Sequence, residues 1–211
     1  MNTLQAVIEV IGTIAFAISG IRWAAYKRFD WFGGYVVGLA TAIGGGTIRD
    51  VMLGVTPFWM TDPLYMFCTA AALIVAVVFR RAVAGLANTW FMFDTLGLAL
   101  FTVAGLQKTL YAGHPYWVAI LMGCITGAAG GVIRDVLINE IPLIFRKEIY
   151  ATACILGGVA YYVCHLCGAA PGISAAVCFA VVVTVRLAAV KLHISLPHLR
   201  ESEENQEQEQ K

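Results

Sequence analysis

Slid along itself by 85 residues, the chain matches its own sequence without a gap. The 54 positions from 12 to 65 hold 14 identities, enough to fix the register. Among them Gly12 meets Gly97, Phe16 meets Phe101, Gly20 meets Gly105, Thr41 meets Thr126 and Tyr65 meets Tyr150. The densest stretch pairs GGGTIRDVMLGVTP, beginning at Gly44, with AGGVIRDVLINEIP, beginning at Ala129. Glu9 falls on Asp94, so an acid is kept at that place. Such a chain folds as two copies of one unit, and the remaining question is how the copies face each other.

Composition decides the solvent. Of the 211 residues 60% are hydrophobic and only 13% charged, against about 25% charged in a soluble domain. The chain is an integral membrane protein. A helix crosses roughly 30 Å of hydrocarbon with about 20 apolar residues, and seven stretches qualify: 4–24, 31–55, 63–84, 90–110, 116–140, 148–167 and 171–192. The first lacks a basic leader and a cleavage site, so it reads as a span and not a signal peptide. Each copy of the repeat holds three spans. Three is odd, so the second copy enters the membrane inverted. The expected fold class is an all-α membrane protein with seven transmembrane helices. Inverted three-helix repeats occupy 4–84 and 90–167, a seventh helix 171–192, and a disordered polar tail 201–211.

Basic residues set the expected orientation. Arg22, Lys27, Arg28, Arg80, Arg81, Arg146, Lys147, Arg186, Lys191, Arg200 and Lys211 fall on one side, and Lys108 stands alone on the other. The N-terminus is therefore placed outside and the C-terminus in the cytoplasm. A net charge of +1 gives no case for nucleic acid as a partner. Five of the six cysteines lie in apolar runs and read as small buried side chains. Cys164 and Cys167 have C-x-x-C spacing without a second ligand pair, so no metal site is expected.

Glycine costs a helix about 1 kcal/mol relative to alanine. Clusters at Gly44, Gly45 and Gly46 and at Gly130 and Gly131 lie mid-span and directly precede charged residues. They admit two readings, close helix packing or a break in spans 2 and 5. The second is the expectation adopted, with the glycines as pore hinges, because unwound backbone is tolerated where it lines a watery cavity.

Counting 1.5 Å per residue puts Glu9 about 8 Å and Arg49 about 9 Å below the outer face. Asp94 and Arg134 fall at matching depths near the inner face. Two symmetry-related pairs follow, Glu9 with Arg49 and Asp94 with Arg134. Asp50 is expected to point away from its neighbour Arg49, since adjacent helical residues diverge by about 100°, and Asp135 is the repeat mate of Asp50. Together these six form a buried charge network or pore lining. Its tally, four acids against two arginines, is net −2 and favours cations.

The paired GGGTIRD and GGVIRD segments, FDWFGGYVVG before the first, and the 3+3+1 layout resemble the bacterial members of the trimeric intracellular cation (TRIC) channel superfamily, also known as the glycine-transporter-domain family. The resemblance spans about 4–192. It implies a homotrimer in membrane lipid, in the bacterial inner membrane, with one pore inside each protomer. It also implies that helices 2 and 5, kinked at their glycines, form that pore. The phosphoinositide site of the animal channels does not carry over, because Thr126 to Asp135 holds no lysine.

Two functions stay open. One is a monovalent cation channel permeable to potassium, with potassium or sodium as permeant ions and no cofactor. No TVGYG-like filter is present, so sharp selectivity is not expected. The other is a secondary transporter of glycine or another small zwitterion, which inverted repeats and broken helices also suit. No catalytic residue is assigned, because neither His114 nor His165 has a partnered nucleophile.

Overall fold

A computed structural model describes residues 3–78, 89–146, 149–192 and 194. Among these residues the chain is helical: α1 (Thr3–Tyr26), α2 (Trp31–Met52), the single turn α3 (Phe58–Thr61), α4 (Leu64–Val78), α5 (Thr89–Tyr111), α6 (Tyr116–Leu137), a 3-10 turn (Leu143–Phe145), α7 (Ala151–Leu166) and α8 (Pro171–Lys191). Helices α1, α2, α6 and α8 are long and apolar enough to cross a membrane. Helices α4 and α7 are apolar but shorter, at 15 and 16 residues. The expected polar tail, 201–211, lies outside the described residues, as do Arg80, Arg81, Lys147 and Arg200.

Local chemistry sets the helix ends. The Asp30 carboxylate accepts a hydrogen bond from the Gly33 amide at 2.7 Å and opens α2, supplying a partner for an otherwise orphaned donor. Both α2 and α6 close the same way. Leu53 N donates to Arg49 O at 2.9 Å and Ile138 N to Arg134 O at 3.1 Å. The next residues, Gly54 and Asn139, are left-handed at φ 69° and 55°, a conformation that glycine and asparagine adopt at least cost.

The two copies meet across a pseudo-two-fold axis. Helix α1 packs on α2 and α4, as α5 packs on α6 and α7, while α1 meets α5 and α2 meets α6 at the centre. Phe16 and Phe101 are repeat mates, and their rings stack on each other, 5.4 Å apart and 14° from parallel. Helix α8 lies outside the repeat, against α5 and α7.

The glycine clusters do not break the helices. Both α2 and α6 run without interruption through Gly44–Gly46 and Gly130–Gly131. The expected break is absent, and the glycines lie where the helices pack closely. A Cβ on Gly45 would fall well inside contact distance of the Thr126 carbonyl oxygen. One on Gly130 would do the same at the Thr41 carbonyl, the repeat mate. Gly46 and Gly131 instead make room for the Phe58 ring and the Tyr150 hydroxyl. The physical reason is solvent. In hydrocarbon an unwound amide has no water to turn to, so the helical hydrogen bonds are kept. The missing side chains instead let two backbones touch.

Candidate functional site

The ends of α2 and α6 each carry an Arg-Asp dipeptide into the protein interior, and each gathers a cluster of charges. In the Arg49 cluster, Arg49 Nη2 lies 3.2 Å from Glu9 Oε1 of α1. Arg49 Nε donates to Asp50 Oδ1 at 2.7 Å. The other Asp50 oxygen accepts the Phe58 amide at 2.9 Å, and the Tyr65 hydroxyl reaches Glu9 Oε2 at 3.2 Å. In the Arg134 cluster, Arg134 Nη1 meets Asp94 Oδ1 at 2.5 Å, and Arg134 Nε donates to Asp135 Oδ1 at 2.9 Å. Asp135 Oδ2 accepts the Leu143 amide at 3.0 Å, and Tyr150 Oη lies 3.5 Å from Asp94 Oδ1. Every one of these contacts has its counterpart 85 residues away.

The expected pairs Glu9–Arg49 and Asp94–Arg134 are thus brought together. The expectation that Arg49 avoids Asp50 is overturned, and Arg134 meets Asp135 in the same way. Cβ vectors do diverge along a helix, but an arginine side chain is long enough to curl back along the surface, and here it lies between two carboxylates. Glu9, Arg49, Asp50, Asp94 and Arg134 are fully buried, and Asp135 nearly so.

Two further cations complete the clusters. Lys108, from the last turn of α5, places Nζ 2.8 Å from Asp50 Oδ1, and its side chain is 23% exposed. Arg186, from α8, is fully buried, with Nη2 3.6 Å from Asp94 Oδ2. Its guanidinium lies over the Tyr150 and Phe91 rings at 4.8 and 5.0 Å, and Nη1 donates to the Ile149 carbonyl at 3.3 Å. The tally changes accordingly. Glu9, Arg49, Asp50 and Lys108 sum to zero, and so do Asp94, Arg134, Asp135 and Arg186. The expected net acidic interior is corrected to two neutral clusters, as the cost of holding unpaired charge away from water requires.

Sequence reasoning placed Lys108 and Arg186 among the residues facing water at the membrane surfaces. Both positions lie inside predicted spans, and an ionisable residue within a span is by default part of a site. That rule, applied to Arg49 and Arg134, would also have found these two. The repeat could not have found them, since Lys108 falls on Trp23 and Arg186 lies in the unrepeated helix. Symmetry also fails at Ser19, whose hydroxyl accepts a hydrogen bond from Arg134 Nη1 at 2.8 Å while its mate is Ala104. The Arg134 cluster is therefore tied to both repeats and to α8. The Arg49 cluster is closed by a single lysine.

Comparison with known families gives a match to the glycine transporter profile over residues 6–81 and again over 91–166, once for each copy of the repeat. The chain belongs to the glycine-transporter family. Relatives within it include the inner membrane protein YadS of Escherichia coli, 42% identical over 195 residues, covering 90% of this chain and 93% of that protein. A membrane protein of Vibrio cholerae is 40% identical, covering 93% and 83%. Among solved structures, this glycine-transporter family member is similar to the trimeric intracellular cation channel orthologue from Rhodobacter sphaeroides. The TM-score is 0.86 at 32% identity, over 92% of this chain and 100% of that one. A prokaryotic TRIC channel in 0.5 M KCl gives 0.84 at 32% identity, over 93% and 100%. The Caenorhabditis elegans channel, at 16% identity and a TM-score of 0.60, shares the fold. These relatives are channels and membrane proteins and not enzymes.

Proposed function

We propose that this protein is a monovalent cation channel, permeable to potassium, with one pore in each protomer of a homotrimer. Seven of its helices cross the bacterial inner membrane, with the N-terminus outside and the C-terminus in the cytoplasm. The likeness to solved TRIC cation channels over nearly the whole chain supports the class of function. The conducting path is the polar seam of α1, α2, α5 and α6, which carries both charge clusters.

One observation carries the mechanism, the Lys108 ammonium held 2.8 Å from Asp50 Oδ1. Asp50 is the acid whose cation partner can leave, because its guanidinium partner is wholly buried while its lysine partner is part-exposed. Lysine is a compact charge on a flexible stem, and its hydration is strong. The ammonium occupies the place a permeating potassium ion would take, and conduction requires it to swing toward water. Arg134, held by Asp94, Asp135 and Ser19, has no such freedom.

The alternative is a carrier for glycine or another small zwitterion, as the family description suggests. Such a carrier holds its substrate's carboxylate at a half-helix N-terminus at mid-membrane, and continuous α2 and α6 do not offer one. Flux through purified protein in liposomes separates the two. A non-saturating potassium flux that rises in Lys108→Gln and falls in Asp50→Asn supports the channel. Saturable counterflow of labelled glycine without potassium flux would replace it with the carrier.

A further inference from the structure

A crevice of about 260 Å³ opens between α1, α2 and α4 on the face that the basic residues assign to the cytoplasm. Its walls are mostly apolar, with Trp31, Leu73 and Ala76 among them, and its lining also carries Arg22 and Asp30. Arg49, Arg134 and Arg186 each lie against a carboxylate. Arg22 does not. Its Nε is buried with no hydrogen-bond partner, and among the described residues its guanidinium meets no acid. Asp30 uses Oδ1 to cap α2 through the Gly33 amide. Among the described residues its Oδ2 accepts no hydrogen bond. The two charges line one crevice without pairing with each other.

We propose that this crevice binds a phospholipid bearing a phosphoethanolamine headgroup. The phosphate pairs with Arg22 and the primary ammonium with Asp30, while an acyl chain follows Leu73 and Ala76 toward the membrane interior. Depth agrees with this. Arg22 lies four residues before the end of α1, about 6 Å below it, which is headgroup level. Trp31 and Phe32 are 73% and 75% exposed beside it, as aromatic residues at a membrane interface are. Charge complementarity chooses the lipid. A planar guanidinium suits a phosphate, and one acid facing one base suits a zwitterion better than an anionic lipid. A methylated choline ammonium has no N–H to give Asp30. This site is independent of whether the protein conducts ions or carries a solute.

The test uses the full-length protein in detergent, mixed with phosphatidylethanolamine, phosphatidylcholine or phosphatidylglycerol of identical acyl chains, with bound lipid read by native mass spectrometry. The ethanolamine lipid is expected to be retained about tenfold over the choline lipid, the worth of one charged hydrogen bond. Arg22→Gln is expected to lose retention of all three. Asp30→Asn keeps the helix cap and is expected to lose the preference for ethanolamine over glycerol. Gly34→Leu fills the crevice with both charges intact, since a Cβ there meets only Leu73 Cδ1 at 3.9 Å, and should also lose the lipid. Lys191→Gln, a basic residue away from the crevice, should bind as wild type. Equal retention of the three lipids, or wild-type retention in both Arg22→Gln and Gly34→Leu, overturns the proposal. So does displacement of the lipid by free phosphoethanolamine at equal concentration, which would mark a site for a soluble ligand.

Discussion

Replacing Gly45 with alanine distinguishes a glycine that packs helices from one that bends them. Were Gly45 a hinge, a methyl group would strengthen the helix by about 1 kcal/mol and raise the melting temperature. The structure predicts the reverse. The new Cβ would sit far closer than 3.0 Å to the Thr126 carbonyl oxygen and about 3.3 Å from the Gly130 amide nitrogen. Both are backbone atoms, so no rotamer change relieves the clash. Helices α2 and α6 would have to separate, and overpacking of this kind costs about 1–3 kcal/mol. Less the propensity gain, Gly45→Ala is expected to lose up to about 2 kcal/mol. For a chain of this length that is a fall in Tm of up to roughly 8 °C. Gly34→Ala is the matched control. It lies in the same helix, gains the same propensity and meets nothing nearer than 3.9 Å, so its Tm should hold or rise. Thermal unfolding followed by circular dichroism in one detergent reads both variants. If Gly45→Ala melts at or above Gly34→Ala, the packing account of the repeated glycines is wrong.

The other predictions concern charge. Arg134→Met strands Asp94 and Asp135 and should destabilise by about 3–5 kcal/mol, with Asp94→Asn recovering part of the loss in the double variant. Lys108→Met, at a part-exposed position, should cost less than Arg134→Met by the same thermal assay, and equal losses would contradict the asymmetry of the clusters. Exchanging the charges as Glu9→Arg with Arg49→Glu should fail to recover stability, because the carboxylate introduced on α2 would face Asp50. Past the end of α6 at Leu137, Lys27 at 2.6 Å and Arg146 at 2.5 Å flank the part-exposed Glu140 and hold its carboxyl below its usual 4.5. A depressed carboxyl contributes stability above its unfolded pKa and loses it as pH falls through the folded value. The Tm gap between wild type and Glu140→Gln should therefore be present at neutral pH and close below about pH 4.

Much of this protein was legible in one dimension. The 85-residue register, the odd number of spans per copy and the acids and arginines kept in both copies lead to an inverted repeat with paired charges. Those inferences rest on counting, and counting survives folding. Glu9 and Arg49 had to find each other, because neither can stay unpaired in a low-dielectric interior. What the sequence could not decide depended on distances between chain segments. Whether glycine bends a helix or lets another one close in depends on what lies opposite, and opposite Gly45 lies the Thr126 carbonyl oxygen, 81 positions away. Whether a lysine near a span end faces water or an aspartate depends on which helix ends beside it. Tertiary structure alone brought Lys108 to Asp50 and Arg186 to Asp94, and so turned an acidic interior into two neutral clusters. The sequence determined which charges needed partners, and packing decided which partners lay within reach.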